Sequence, residues 1–238
     1  MAARITFTTR LAESVPRTPG TVSFRFEKPK SFTYKAGQWF ILTVPSAEGP
    51  QVHRFTFSSA PTEPFLEFTT RMSGSTFKNA LLEMVPGTEV EMEAPIGKFV
   101  LRDGVERMAC LIGGVGVTPV RSILRSLADA GACDRKIVVF YGNVAEDGIT
   151  FKEELEAIQA QLPDVRVVHV LSRPGDDWSG HRGRIRAEIV DGELADPGEW
   201  TYYVCGPPPM VESMQEVLEK LKIPRTQVVL EKFGAPPA

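Results

Sequence analysis

Residues 1 to about 100 alternate apolar and polar side chains again and again. Val22, Phe24 and Phe26 point one way while Ser23, Arg25 and Glu27 point the other, the period of a half-buried strand. Similar runs at Ile5–Thr9, Trp39–Val44, His53–Ser58, Leu66–Thr70 and Glu89–Glu93 bring the expectation to about six strands. Turn residues interrupt them at short intervals (Pro29, Gly37, Pro45, Gly49, Pro61, Pro86, Gly87), as in a small antiparallel barrel. One helix is predicted over Thr76–Glu83, with Phe77, Ala80 and Leu81 on one face.

After Gly104 the pattern changes to strand then helix, repeated. Met108–Ile112 is a continuous apolar strand. Pro119 then stands where a first helical residue should, behind the capping hydroxyl of Thr118, with Val120, Ile123, Leu124 and Leu127 on the buried face. Strand Ile137–Tyr141, a helix on Phe151, Leu155, Ile158 and Leu162, strand Val165–Leu171 and a short helix Ile185–Val190 follow. Strand Thr201–Cys205, a helix carrying Val211, Met214, Val217, Leu218 and Leu221, and strand Val228–Glu231 complete the series. Strands alternating with helices imply a parallel sheet covered on both faces. The expected architecture is therefore two domains: an antiparallel β-barrel over residues 1–103, then a doubly wound α/β domain over 104–238.

Composition narrows what such a chain does. At 238 residues, with 42% hydrophobic and 24% charged side chains, it has the balance of a folded protein. The formal net charge of -3 offers no overall positive field for a phosphate backbone, so a general nucleic-acid binder is disfavoured. Three cysteines (Cys110, Cys133, Cys205) are too few for the four thiolates of an iron–sulfur cluster or for a disulfide framework. Three histidines (His53, His169, His181), none at helical metal-site spacing, give no metal site. No apolar run approaches the length of a membrane helix, and the N-terminus lacks a signal peptide's apolar core. The expectation is a soluble, cytoplasmic protein without membrane insertion.

In an open parallel sheet, ligands bind beyond the carboxyl ends of the strands. Three loops occupy such places. Gly113-Gly114-Val115-Gly116-Val117-Thr118-Pro119 is either a phosphate cradle at a helix N-terminus or a tight structural turn. It is not the dinucleotide fingerprint G-x-G-x-x-G, because Pro119 takes the place of the third glycine. Ser172-Arg173-Pro174, with Arg182 and Arg184 beyond it, either holds the extra phosphate of NADP or is a solvated basic loop. Cys205-Gly206-Pro207 ends a strand with a thiol that is either at the ligand crevice or a small buried hydrophobe. In the barrel half, HRFTFSSAP (residues 53–61) crowds aromatic, hydroxyl and basic side chains onto one strand, which on its own also reads as an ordinary amphipathic strand.

Taken together, these motifs resemble the ferredoxin–NADP reductase superfamily, in which a flavin-binding barrel precedes a pyridine-nucleotide domain. The family's Arg-x-Tyr-Ser signature matches His53-Arg54-Phe55-Thr56. The resemblance implies that Phe55 covers the isoalloxazine and Thr56 addresses flavin N5. His53 stands where the family has arginine, as in the ferric-reductase and NADPH-oxidase branch, leaving the pyrophosphate charge to Arg54, Arg71 or a protonated His53. The family's second flavin motif matches Arg71-Met72-Ser73-Gly74-Ser75-Thr76, which makes Gly74, Ser75 and Thr76 the phosphate cradle. The nucleotide motifs match Gly113, Gly114, Gly116, Thr118 and Pro119, and Cys205, Gly206 and Pro207 near the nicotinamide. Phe233 is the candidate for the C-terminal residue over the flavin, with the tail Ala235–Ala238 running on beyond it.

The implied activity is an FAD-dependent oxidoreductase. It passes hydride from NAD(P)H to flavin N5 and then electrons to a separate acceptor, such as a ferredoxin, a flavodoxin or a haem protein. NADPH is favoured over NADH, on Ser172 and Arg173. Thr56, Cys205 and Phe233 are the residues expected at the reacting atoms. The alternatives are a flavin or ferric reductase that releases its flavin, and a non-turnover electron-transfer subunit of a larger complex.

Overall fold

The structure, a computed structural model, describes residues 3–233 and divides into two units. Residues 3–100 and 118–126 form the first; residues 101–117 and 127–233 form the second.

The first unit is built on β1 (Ile5–Thr18), β2 (Thr21–Glu27), β3 (Trp39–Val44), β4 (Gln51–Thr56), β5 (Phe65–Arg71) and β6 (Glu89–Ile96), with helix α1 (Thr76–Glu83) between the last two. All pairings are antiparallel, in the order β4-β3-β6-β1-β2-β5. Strand β1 is far longer than the Ile5–Thr9 expected from alternation. Its first half pairs with β6 and its second with β2, and a register shift between Leu11 and Glu13 lets one strand serve both. That bulge breaks the period of two, which is why the pattern stopped early.

The edge strands β4 and β5 share no ladder but meet through Phe55 and Phe68, whose ring centroids stack 4.1 Å apart. Strand β4 ends at Thr56, not Ser58: the Phe57 amide donates to Gln38 O, and the Ser58 amide turns to Glu67 O on β5 at 2.7 Å. Inward-facing Phe24, Phe26, Phe40, Leu42, Phe68 and Met92 fill the core.

Glu67, on β5, is wholly buried, and every part of its carboxylate is met. Oε2 accepts from Arg17 Nη2 and Arg25 Nε, each at 2.7 Å, and Oε1 accepts from Ser58 Oγ at 2.8 Å. The segment 118–126 joins this unit through two buried side chains. Arg121 donates to Ser58 O and to the Glu63 carboxylate, and Ser122 Oγ donates to Ser59 O.

The second unit carries six parallel strands: β7 (Arg107–Gly113), β8 (Lys136–Asn143), β9 (Val165–Leu171), β10 (His181–Arg182), β11 (Thr201–Gly206) and β12 (Val228–Lys232), in the order β10-β9-β8-β7-β11-β12. Helices α2 (Val117–Ala130), α3 (Lys152–Gln161), α4 (Ala187–Glu193) and α5 (Pro208–Lys220) alternate with them. Ala109, Leu111, Val138, Phe140 and Val204 bury one sheet face against Ile189, Val190, Val211 and Met214 of α4 and α5. The alternate residues Met108, Cys110, Ile112, Ile137 and Val139 are as fully buried, so both faces are covered.

Two helix limits differ from expectation. Phe151 is the cap of α3 in a left-handed conformation (φ 62°), with Leu155 and Ile158 on the buried face. Ile185 packs in the core ahead of α4 instead of starting it. No helix among the described residues is long and apolar enough to cross a membrane.

Candidate functional site

The side-chain alternation of β4 splits the HRFT motif. His53 and Phe55 share the face on which β3 places Leu42 and Phe40, while Arg54 and Thr56 take the other, where Trp39 and Ile41 are their cross-strand partners. Arg54 lies over the Trp39 ring at 5.2 Å. Phe55 is half-buried between β5 and α1, its centroid 5.1 Å from His53 and 5.5 Å from Phe77.

The chain reaches α1 through Gly74, whose φ of +70° suits glycine, and Ser75, which caps the helix by accepting from the Lys78 amide at 3.4 Å. No acidic residue occupies the first turn of α1, so its positive end is left uncompensated.

Lys78, in that turn, was not anticipated. Its side chain is folded inward until the residue is only 8% exposed, with Nζ 4.6 Å from the Phe55 centroid and donating to Thr70 Oγ1. Burial pushes its pKa down to about 8. Burial also holds His53 below its usual value, helped by the Lys78 charge and opposed by the Arg54 carbonyl. Nδ1 of His53 accepts from the Arg54 amide at 3.0 Å. The expected charge-bearers are thus rearranged: His53 is held neutral, Arg54 takes the far face, and Arg71 is exposed on the face of β5 opposite Thr70.

In the second unit the strand order reverses between β7 and β11, the switch point at which open parallel sheets bind ligands. The loop after β7 is a tight turn, Gly114–Gly116, running straight into α2. A Cβ on Gly116 would stand 2.4 Å from Cys205 O, so only glycine lets the two nucleotide motifs lie together. The Tyr141 hydroxyl pins the turn by donating to Gly114 O at 3.1 Å. Thr118 does not cap α2. The helix begins at Val117 behind Gly116 with no side-chain cap, because the turn supplies the entry, and Pro119 is its third residue.

The start of α5 is different in kind. Pro207 precedes it and Pro208 and Pro209 open it, removing amide donors, so this loop is a rigid wall and not an anion cradle. Cys205 is fully buried, and burial drives its thiol pKa well upward, so it stays neutral. The Phe233 amide donates to Gly206 O at 2.9 Å, setting that residue beside the motif; the tail Ala235–Ala238 lies outside the described residues.

Near the strand ends, buried His169 Nδ1 on β9 meets no hydrogen-bond partner among the described residues, and Asn143 Nδ2 on β8 has only a weak approach to the Tyr141 hydroxyl, so both suit a polar ligand. Ser172 and Arg173 follow β9, exposed, their amides donating to Asn143 O and Val144 O. One nitrogen of the exposed Arg182 guanidinium is engaged within its own loop. Its Nη2 donates to the carbonyls of Gly175, Asp176 and Trp178 and so holds the loop in shape.

The family model for the oxidoreductase NAD-binding domain matches residues 110–216. A ferredoxin–NADP reductase (B) of Sorangium cellulosum is 31% identical over 239 residues, covering 95% of this chain and 97% of that protein. The chain belongs to the ferredoxin–NADP reductase superfamily. It is an NAD(P)H-dependent flavoprotein oxidoreductase.

The reductase component of a Gordonia propane 2-monooxygenase is 29% identical over 238 residues, and this chain spans 96% of itself and 68% of that protein in the match. The fold is also that of a ferredoxin–NADP+ reductase from Neisseria gonorrhoeae solved with bound FAD and NADP (TM-score 0.82, 20% identity, 96% and 99% of the two chains). Within this reductase, Gly113, Gly114, Gly116, Cys205, Gly206 and Pro207 converge at the switch point. In the barrel, His53 and Phe55 meet the first turn of α1, whereas Arg54, Thr56 and Arg71 face elsewhere.

Lys78, Asn143 and His169 escaped the sequence reading. Only the first carried a signal, as a basic residue in a first helical turn, where the dipole disfavours it.

Proposed function

We propose that this reductase retains FAD on its barrel, takes electrons from NADPH in the cytoplasm, and delivers them to a separate acceptor protein. The observation that carries the reading is the junction of Gly116 with Cys205 at the β7/β11 switch point, which brings two nucleotide motifs into one mouth. When bound, FAD supplies the chemistry, accepting hydride at N5 from nicotinamide and passing electrons on singly.

The protein's part is placement. Gly113, Gly114 and Gly116 let the nucleotide diphosphate approach the backbone where α2 begins without a cap, and the helix's positive end favours it there. Thr118 and Pro119 shape that first turn. Pro207, with the buried Gly206 and the buried, neutral Cys205 behind it, forms the uncharged wall beside the nicotinamide, and the thiol neither gives nor takes a proton. Phe233 sits beside that surface. Ser172 and Arg173 receive the 2′-phosphate of NADPH, the guanidinium bidentately. On the barrel, Gly74, Ser75 and Thr76 cradle the FAD diphosphate, His53 and Phe55 pack along the flavin, and Thr56, which ends β4 on the face opposite Phe55, addresses N5 at the strand's end. The free thiols of Cys110, Cys133 and Cys205 suit a reducing compartment.

Exhaustive desalting tests the reading. Near one FAD per chain is expected to remain. Flavin lost on desalting, with NADPH-driven reduction of added free flavin, would instead make flavin a substrate.

A further inference from the structure

Among the described residues of the barrel, Lys78 is a buried charge that meets no opposite charge. The Lys78 ammonium is packed between the rings of Phe55 and Phe77, 4.6 and 5.9 Å from their centroids, and its one polar partner is the neutral hydroxyl of Thr70. The elements around it add none: β4 contributes His53, held neutral, β5 contributes Thr70, and α1 has no acidic residue in its first turn. A buried ammonium without a counter-charge is costly, and the positive end of α1 raises that cost. A folded chain keeps such a group where a ligand supplies the missing charge. The neighbours define that ligand: a helix start capped by a serine that still has a proton to donate, a glycine with a positive φ ahead of it, and two aromatic walls that exclude water.

The geometry points to Lys78 as the residue that supplies the positive charge for the diphosphate of FAD. This rests on the reading of the barrel as the FAD site, and it goes beyond that reading by naming a cation in place of His53, Arg54 and Arg71. With its pKa near 8, the ammonium is protonated at neutral pH and ready to pair.

The test is a binding titration of the deflavinated full-length protein with FAD and with riboflavin, which lacks the diphosphate, in wild type, Lys78→Met and Lys78→Arg. Loss of one charged hydrogen bond predicts FAD binding about ten- to a hundredfold weaker in Lys78→Met, with riboflavin within about twofold of wild type. Lys78→Arg keeps the charge and is expected to restore most of the FAD affinity. Thermal melts of the flavin-free proteins separate this from misfolding, since removing an unpaired buried charge leaves the melting temperature of Lys78→Met unchanged or higher. Unaltered FAD affinity in Lys78→Met, or an equal loss for riboflavin, would overturn the assignment of Lys78 while leaving the flavoprotein reading intact. A wild type that binds neither flavin would overturn both.

Discussion

Two buried charges in the same barrel are treated in opposite ways. Glu67 is fully enclosed, and two arginines and a serine satisfy its carboxylate. Lys78 is nearly as enclosed and has a hydroxyl and aromatic faces for company. The first arrangement is complete within the chain and holds strands β1, β2 and β5 together. The second leaves the ammonium without an opposite charge among the described residues, the property on which its assignment to the FAD diphosphate rests.

The largest expected effect follows from breaking the complete arrangement. Glu67→Gln takes from Arg17 and Arg25 the buried carboxylate they share, leaving Arg25 with the exposed Glu13 and Arg17 with the Ser23 hydroxyl. Both arginine side chains keep some water (19% and 23% exposed), so the loss should lie near the low end for a buried pair, about 3 kcal/mol of stability. Urea unfolding checks it, and an unchanged midpoint would mean the network is idle.

An exposed cation sharpens the contrast from the other side. Arg173→Ala should leave stability within about 0.5 kcal/mol, because the side chain is solvated. It should weaken NADPH by about ten- to a hundredfold and leave NADH nearly untouched. Comparing kcat/KM for the two nucleotides decides it, and an equal loss for both would return Arg173 to the role of a solvated loop residue.

The buried cation gives a pH signature of its own. Its folded pKa of about 8 lies below that of an unfolded lysine, so the flavin-free fold pays for the charge below pH 8 and gains stability as pH rises from there. FAD binding needs the protonated form, so affinity should fall as pH passes 8, by up to about tenfold per unit until the bound-state pKa is reached. Titrations from pH 7 to about 9.5 should therefore show stability and affinity moving in opposite directions. Parallel trends would contradict the pairing of Lys78 with an anion.

The smallest effect is assigned to a neutral group. Thr56→Val removes one uncharged hydrogen bond and should slow flavin reduction by NADPH up to about tenfold with FAD content intact. An unchanged reduction rate would remove Thr56 from the reacting atoms.

Much of this was legible in the sequence. Helix Thr76–Glu83 and strand Trp39–Val44 are found with the limits the pattern gave, because each is a short element with a strict period and clear turn residues beside it. The long β1 was not, since the bulge after Leu11 breaks the period that reveals a strand. The start of α2 was misplaced because Thr118-Pro119 imitates a cap, while the turn at Gly114–Gly116 does the work. Motif order placed the nucleotide loops, but not the atoms that fit a ligand. Lys78, Asn143 and His169 owe their character to burial, which depends on strands far away in the chain. The loop bonds of Arg182 were hidden for the same reason: its carbonyl partners are set by the shape of the loop.

The central claim is that this chain, with FAD bound, is a complete acceptor of electrons from NADPH. Rapid anaerobic mixing of the purified protein with one equivalent of NADPH, followed by the visible absorbance of the flavin, tests it most directly. The account predicts that the absorbance of about one FAD per chain bleaches in a single NADPH-dependent phase and returns when an oxidised acceptor protein is added. Bound flavin that stays oxidised in the presence of NADPH and NADH alike would contradict it.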